Sequence, residues 1–155
     1  MEIVKTFSEN MPDELLKINH KYLLMKYDEN GKKIVKGNFK NVNWTYNDAY
    51  EQQFKQYNDY SIVRAFDLKN SGYIVVDIDQ DIDLNELCKL HPVLGDTCCK
   101  KGNSKGFHFY FRNKELSNLK TEIKCLKGIE GDVITGTVWE AVDCKFNHNI
   151  VSDIL

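Results

Sequence analysis

At 155 residues, 42% of them apolar, the chain has the size of one compact domain able to bury most of the surface its unfolded form exposes. Its formal charge of −2 supplies no global attraction to nucleic acid, so such a partner would have to be held by local basic clusters or through metal ions. No apolar run approaches the roughly 20 residues that span a bilayer, and no basic-then-apolar stretch opens the chain, which predicts a soluble, intracellular protein with no membrane partner.

Pro12 suits a first helical turn, and Leu15, Ile18, Tyr22 and Met25 follow at three- and four-residue intervals, so the spacing predicts an amphipathic helix over residues 12–26. Asp28-Glu29-Asn30-Gly31 is a turn cluster, and the basic stretch Lys32-Lys33-Ile34-Val35-Lys36 after it is mildly strand-like. Tyr46, Tyr50, Phe54 and Tyr57 mark a second helix; an aromatic stripe at that spacing reads as core packing, with Trp44 against the same core. Ser61 to Phe66 reads as a strand, and Lys69-Asn70-Ser71-Gly72 as the turn of a hairpin into the next strand.

That next strand, Tyr73-Ile74-Val75-Val76-Asp77-Ile78-Asp79, carries the most chemistry. Alternation sends Ile74, Val76 and Ile78 to one face, and Val75, Asp77 and Asp79 to the other. Two like charges one pleat apart repel; a divalent cation would neutralise them, whereas the ordinary alternative is a solvated polar face. The acids that follow, Asp81 and Asp83, do not form a calcium loop: Ile82 stands where glycine is required, and Cys88 where a bidentate glutamate is required. Asp83 and Glu86 fit a capping box opening a short helix through Leu87 and Leu90, which Pro92 helps to stop.

Five cysteines, Cys88, Cys98, Cys99, Cys125 and Cys144, are an odd number without CxxC spacing, so reduced thiols are expected. His91 with Cys98 and Cys99 lacks a clear fourth zinc ligand. Gly95 to Gly106 is a loop of lysines and small residues, among them Lys100, Lys101, Ser104 and Lys105, equally readable as solvated or as a polyphosphate contact. It leads into Phe107-His108-Phe109-Tyr110-Phe111-Arg112, a strand with the phenylalanines on one face and His108, Tyr110 and Arg112 on the other. If the two alternating strands share a sheet, Asp77, Asp79, His108 and Arg112 line one open face.

Leu116, Leu119, Ile123 and Leu126 predict a further helix closed by Gly128. Residues 132–141 read as a hairpin around Gly136-Thr137, with Val133 opposite Glu140 and Ile134 opposite Trp139. That register sends Asp132 and Glu140 to opposite faces, so one of them at most joins the site directly. From Cys144 onward no pattern is readable.

Two acids, a histidine, a third acid and a lysine-rich glycine loop suit two-metal phosphoryl or nucleotidyl transfer, in which carboxylates hold two divalent ions and compact positive donors meet the phosphates. Magnesium takes hard oxygen ligands and keeps some of its waters, so three acidic side chains suffice. His108, Lys105 and Arg112 are the candidate phosphate donors, and no P-loop or GxGxxG is present.

The order of Val75-Val76-Asp77-Ile78-Asp79, then Gly106-Phe107-His108-Phe109-Tyr110-Phe111, then a third acid opening a later strand pair, resembles the archaeo-eukaryotic primase superfamily. More narrowly it is similar to the primase-polymerase domains of large DNA viruses and mobile elements, of which Gly131-Asp132-Val133-Ile134 and Val138-Trp139-Glu140 are also reminiscent. The resemblance implies an α+β fold: an RRM-like antiparallel-rich sheet with helices on one face, beside a small N-terminal α/β unit. It implies one catalytic domain over residues 1–155, of a kind often found within a longer primase-helicase chain. It further implies template-directed synthesis of primers from nucleoside triphosphates on single-stranded DNA, with two Mg²⁺ or Mn²⁺ ions and a fused or associated helicase. A viral member would act in the host cytoplasm or a viral factory.

Under that resemblance Asp77, Asp79 and Asp132 are the catalytic metal-binding acids, with Glu140 the substitute for the third, and His108, Lys105, Ser104 and Arg112 bind the nucleotide. Members often carry Lys-x-Pro ahead of the first motif; Gly31-Lys32-Lys33-Ile34 has no proline, so Lys33 is not assigned a role. Two other readings use the same residues. One is a catalytically silent RRM-like module holding single-stranded nucleic acid through aromatics such as Tyr110. The other is a two-metal nuclease. The Asp-x-Asp pair is useless to a pure binder of anions, and the basic loop with His108 suits a triphosphate.

Overall fold

The computed structural model describes residues 6–37, 41–101, 106–113 and 131–154. In chain order these form α1 (Asp13–Leu16), β1 (His20–Tyr27), β2 (Lys33–Lys36), α2 (Tyr46–Lys55), β3 (Ser61–Asp67) and β4 (Tyr73–Ile78). Then come α3 (Leu84–Leu90), α4 (Pro92–Gly95), β5 (Cys99–Lys101), β6 (Phe107–Arg112), β7 (Gly131–Ile134), β8 (Thr137–Ala141) and β9 (Ser152–Asp153). The class is α+β. One sheet has the order β2-β1-β3-β8; the other has β5-β6-β4-β7, with β9 parallel to β6 and every other pairing antiparallel. Among the described residues no helix is long and apolar enough to cross a membrane.

The helix expected over residues 12–26 stops at Leu16, and most of the rest is β1. Leu23 and Leu24 show why. These neighbours are both buried on opposite faces, Leu23 against Val63 and Ala65, and Leu24 against Ala49 and Tyr60. A strand covered on both sides buries consecutive residues in this way, whereas a helix does not. The apparent helical spacing joins Leu15 and Ile18 of one core cluster to Tyr22 and Met25 on opposite faces of β1. The turn after β1 forms as read, with Asp28 Oδ1 accepting from the backbone N–H groups of Asn30 and Lys32.

The second helix, α2, is opened by a reciprocal capping box between Thr45 and Asp48. Its aromatic stripe is not core: Tyr46, Tyr50 and Phe54 are 44%, 53% and 79% exposed. The helix seats on the first sheet through Ala49 instead, and the small side chain lets the backbone lie close to Leu24. Trp44 and Tyr57, just outside the helix at either end, do pack onto that cluster.

Neither predicted hairpin forms. β3 pairs with β1 and β8 while β4 pairs with β6 and β7, so β3 and β4 lie in different sheets, as do β7 and β8. The two connections run side by side, joined by Leu68 N–H donating to Gly136 O at 2.7 Å. In effect β3–β4 and β7–β8 are one antiparallel ribbon that bends from one sheet into the other. Alternation along each strand is the same in either arrangement, so it leaves the partner undetermined.

In the second sheet, Ile74, Val76 and Ile78 of β4 and Phe107, Phe109 and Phe111 of β6 form one apolar face, covered by Leu84, Leu87 and Cys88 of α3 and Leu94 of α4. The capping box expected there does not form, since Asp83 makes no side-chain cap bond; burial of the α3 leucines carries the helix. The opposite face is not open along its length. Val75 and Tyr110 lie fully buried in its middle, packed with Phe66 and Val138 of the first sheet and with Phe146. The tail is therefore structural, supplying Phe146, Val151 and β9. The helix predicted over residues 116–126, and Cys125, fall outside the described residues. Cys88, Cys98, Cys99 and Cys144 are free thiols.

Candidate active site

Cross-strand register places the polar residues. Lys100 of β5 stands opposite His108 of β6, His108 opposite Asp77 of β4, and Asp77 opposite Asp132 of β7. Directly opposed residues of antiparallel strands share a face, with Cβ atoms about 5 Å apart. The four side chains thus form one row across the sheet, two cationic types beside two acids. Two glycines let the strands close in beside it. A Cβ on Gly106, at φ +86°, would stand 2.1 Å from the Ile78 carbonyl oxygen, and one on Gly131 would stand 2.5 Å from that of Asp77. Gly106→Ala is accordingly expected to destabilise the fold by about 2 kcal/mol or more, because it needs a left-handed alanine and a backbone shift together; urea unfolding measures the loss.

Glu140 reaches the row from the other sheet. Its Oε1 lies 2.7 Å from His108 Nδ1 and 3.4 Å from Lys100 Nζ, while His108 Nε2 lies 3.4 Å from Asp77 Oδ1. Burial pulls the His108 pKa down, but the hydrogen bonds to Asp77 and Glu140 outweigh it and raise the value to about 9. At neutral pH the ring is an imidazolium donating from both nitrogens.

The predicted hairpin register set Asp132 and Glu140 on opposite faces with room for one at the site. Because β7 and β8 belong to different sheets, both reach it: Asp132 beside Asp77, and Glu140 beneath His108. They are unalike. Asp132 is exposed, whereas the Glu140 side chain has no exposed surface. Asp79 lies just past the end of β4 and is exposed. As a donor set, Asp77, Asp132 and Asp79 offer hard carboxyl oxygens at one sheet end, which suits Mg²⁺ or Mn²⁺ in kind. Among the described residues no three His, Cys, Asp or Glu side chains already converge as a metal cage.

Arg112 does not join the row. It lies four residues along β6 from His108, about 13 Å away at strand spacing. There its Nε and Nη2 donate to Glu14 Oε1 and Oε2 at 2.8 and 2.7 Å, and Tyr73 Oη donates to the same Glu14 Oε1 at 3.0 Å. Burying Val75 and Tyr110 splits the expected polar face into two separate ends. Arg112→Gln is expected to leave nucleotide affinity unchanged and to cost at most about 1 kcal/mol of stability, the range of a partly exposed pair; titration calorimetry and urea unfolding test the two halves. Ser104 and Lys105 lie outside the described residues. Tyr110 is fully buried, its phenol pushed well above the ordinary range by burial first and by Glu140 next, so it has no face on which a base could stack.

Sequence reasoning left the neighbouring cleft unassembled. A cleft of about 930 Å³ is lined by Met25, Tyr27 and Lys33 of the first sheet's β1–β2 end, by Trp139 and Ala141 of β8, and by Lys100, Lys101 and His108 of the second sheet. Lys145 and Asp143 complete its polar lining, and Lys33 Nζ lies 3.8 Å from the centroid of the Trp139 ring. The lysines and Trp139 are legible singly in the sequence; no local pattern joins β2 to β5 and β8. Comparison of the chain with protein-family models, with curated proteins and with solved structures finds no match.

Proposed function

We propose that the chain is a template-directed nucleotidyltransferase of the primase-polymerase kind, extending or starting DNA strands from nucleoside triphosphates. The observation that carries this reading is the row itself: a cross-strand pair of acids, Asp77 and Asp132, beside a cationic histidine at the edge of a lysine-lined cleft large enough for a nucleotide. The finer fold reading that accompanies it takes the second sheet as RRM-like and the first, with α2, as the companion unit.

Asp77 and Asp132, with Asp79, would hold the divalent ions. Bound there, Mg²⁺ or Mn²⁺ would activate the attacking 3′-hydroxyl and clamp the triphosphate and leaving pyrophosphate. His108 contributes a fixed positive charge and a hydrogen-bond donor. Its Nε2 contact to Asp77 is long, at 3.4 Å, so Nε2–H is the donor most easily redirected onto a phosphate oxygen. Lys33, Lys100, Lys101 and Lys145 add charge along the cleft, favouring a polyanion over a neutral ligand.

The test is incubation of primed and unprimed single-stranded templates with dNTPs or NTPs and Mn²⁺ or Mg²⁺, comparing wild type with Asp77→Ala/Asp79→Ala. Extension by wild type alone is expected. Equal extension by the double variant, or template binding with no extension by either protein, overturns the reading. Template cleavage without extension assigns the same acids to a nuclease.

A further inference from the structure

Glu140 departs from the other acids of the site. It comes from β8, in the first sheet, yet its side chain ends against β6 of the second, with no exposed surface. Oε1 faces His108 Nδ1 at 2.7 Å and Lys100 Nζ at 3.4 Å; Oε2 and the hydroxyl of Tyr110 are both buried, and the carboxyl and the phenol interact. A divalent ion of the magnesium type keeps several waters, so a carboxyl sealed from solvent cannot serve it without repacking the interface. Sealing a carboxyl group from water is also costly, and an apolar residue would fill the same space without that cost. What the burial does achieve is orientation. With Nδ1 held, the imidazole has one ring plane and one direction for Nε2, along the row toward Asp77, just as an outer partner orients a ligating histidine.

We infer that Glu140 is a positioning residue: it fixes the His108 ring through Nδ1 so that Nε2 points along the row to its Asp77 end, where it meets a phosphate of the bound nucleotide. The phosphate rests on the nucleotidyl-transfer reading; the hold on His108 does not.

Two measurements on the full chain separate these parts. In protein labelled with ¹⁵N-histidine, the His108 Nδ1–H gives an exchange-protected, downfield resonance, assigned by its loss in His108→Gln. It persists in Glu140→Gln, whose amide oxygen still accepts, and disappears in Glu140→Met, which fills the space without an acceptor. Persistence in Glu140→Met overturns the inference whatever the protein's activity. The second measurement is calorimetric titration with a non-hydrolysable nucleoside triphosphate and Mn²⁺. Glu140→Met is expected to weaken binding about tenfold, and in a His108→Ala background the same change is expected to cost less than about twofold, the non-additivity of residues acting as one unit. Additive losses mean that Glu140 meets the ligand itself and overturn the inference. A wild type that binds no triphosphate rejects the nucleotide reading, leaving the resonance to decide Glu140. Should Glu140→Met fail to fold, as judged by circular dichroism, Glu140→Leu, which also lacks an acceptor, takes its place in both measurements. Mn²⁺ binding followed by paramagnetic resonance supplies the remaining check: Glu140→Gln leaves it within about twofold, whereas a loss matching that of Asp77→Asn makes Glu140 a metal ligand and overturns the inference.

Discussion

Asp77→Asn is expected to lower the rate of strand extension roughly a thousandfold, about 4 kcal/mol of transition-state stabilisation, without unfolding the protein. Its side chain is about a third exposed, so the change removes part of what holds the His108 imidazolium but leaves Glu140 against Nδ1 and the buried core intact. The companion change, Asp132→Asn, sharpens the expectation. Directly opposed like charges on neighbouring strands cost about 0.2–1 kcal/mol, and the Asp132 side chain makes no hydrogen bond or ion pair with another described residue to offset that. Without divalent ions Asp132→Asn should therefore unfold at a slightly higher temperature than wild type. With millimolar Mn²⁺ the order should reverse, because a ligand that binds only the native state stabilises it by mass action and the variant has lost part of the site. Thermal melts with and without Mn²⁺, run beside the extension assay, read both. A variant less stable than wild type in chelator, or one fully active, contradicts the assignment of the pair.

The second large effect is on stability against pH. His108 titrates near 9 in the folded protein and near 6.5 when unfolded, so the native state holds a proton that the unfolded chain releases. The resulting stabilisation is fully present below about pH 6.5 and is lost as pH rises through 9, with a total on the order of 3 kcal/mol. The buried thiols act higher. Burial pushes Cys88 to about 11 and Cys98 and Cys144 to about 12, and it raises Cys99 as well. Their contributions begin only above the unfolded thiol value of about 8.5. His148 is shifted down by burial, so its contribution is present above its unfolded value and lost as pH falls. The interval from pH 6.5 to 8 thus belongs mainly to His108. Urea midpoints across it should fall for wild type and stay nearly level for His108→Gln; parallel curves for the two proteins would show that the imidazolium is not held as described.

Much of the site's local structure is legible in single strands. Alternation in Tyr73–Ile78 and Phe107–Arg112 identifies two strands and the face on which Asp77 and His108 lie, because side-chain direction in a strand follows from position alone. The spacing of Tyr46, Tyr50 and Phe54 identifies α2 for the same reason, since periodicity is local. Alternation is missing from β1, where burial on both faces leaves a continuous apolar centre that also matches a helical spacing.

The sequence by itself determined which residues carry charge, which strands alternate, and that Asp77, His108 and Asp132 are available for one chemistry. Only the tertiary structure decided which of them meet. Pairing β4 between β6 and β7 sets the three in one row, and bending the β3–β4 and β7–β8 ribbon between sheets brings Glu140 under His108 when a flat hairpin would have turned it away. It also removed Arg112 to the far end of β6 and turned the α2 aromatics outward. The physical reason is that face and period are properties of a few consecutive residues, whereas register and partner depend on apolar surfaces far apart in the chain finding one another.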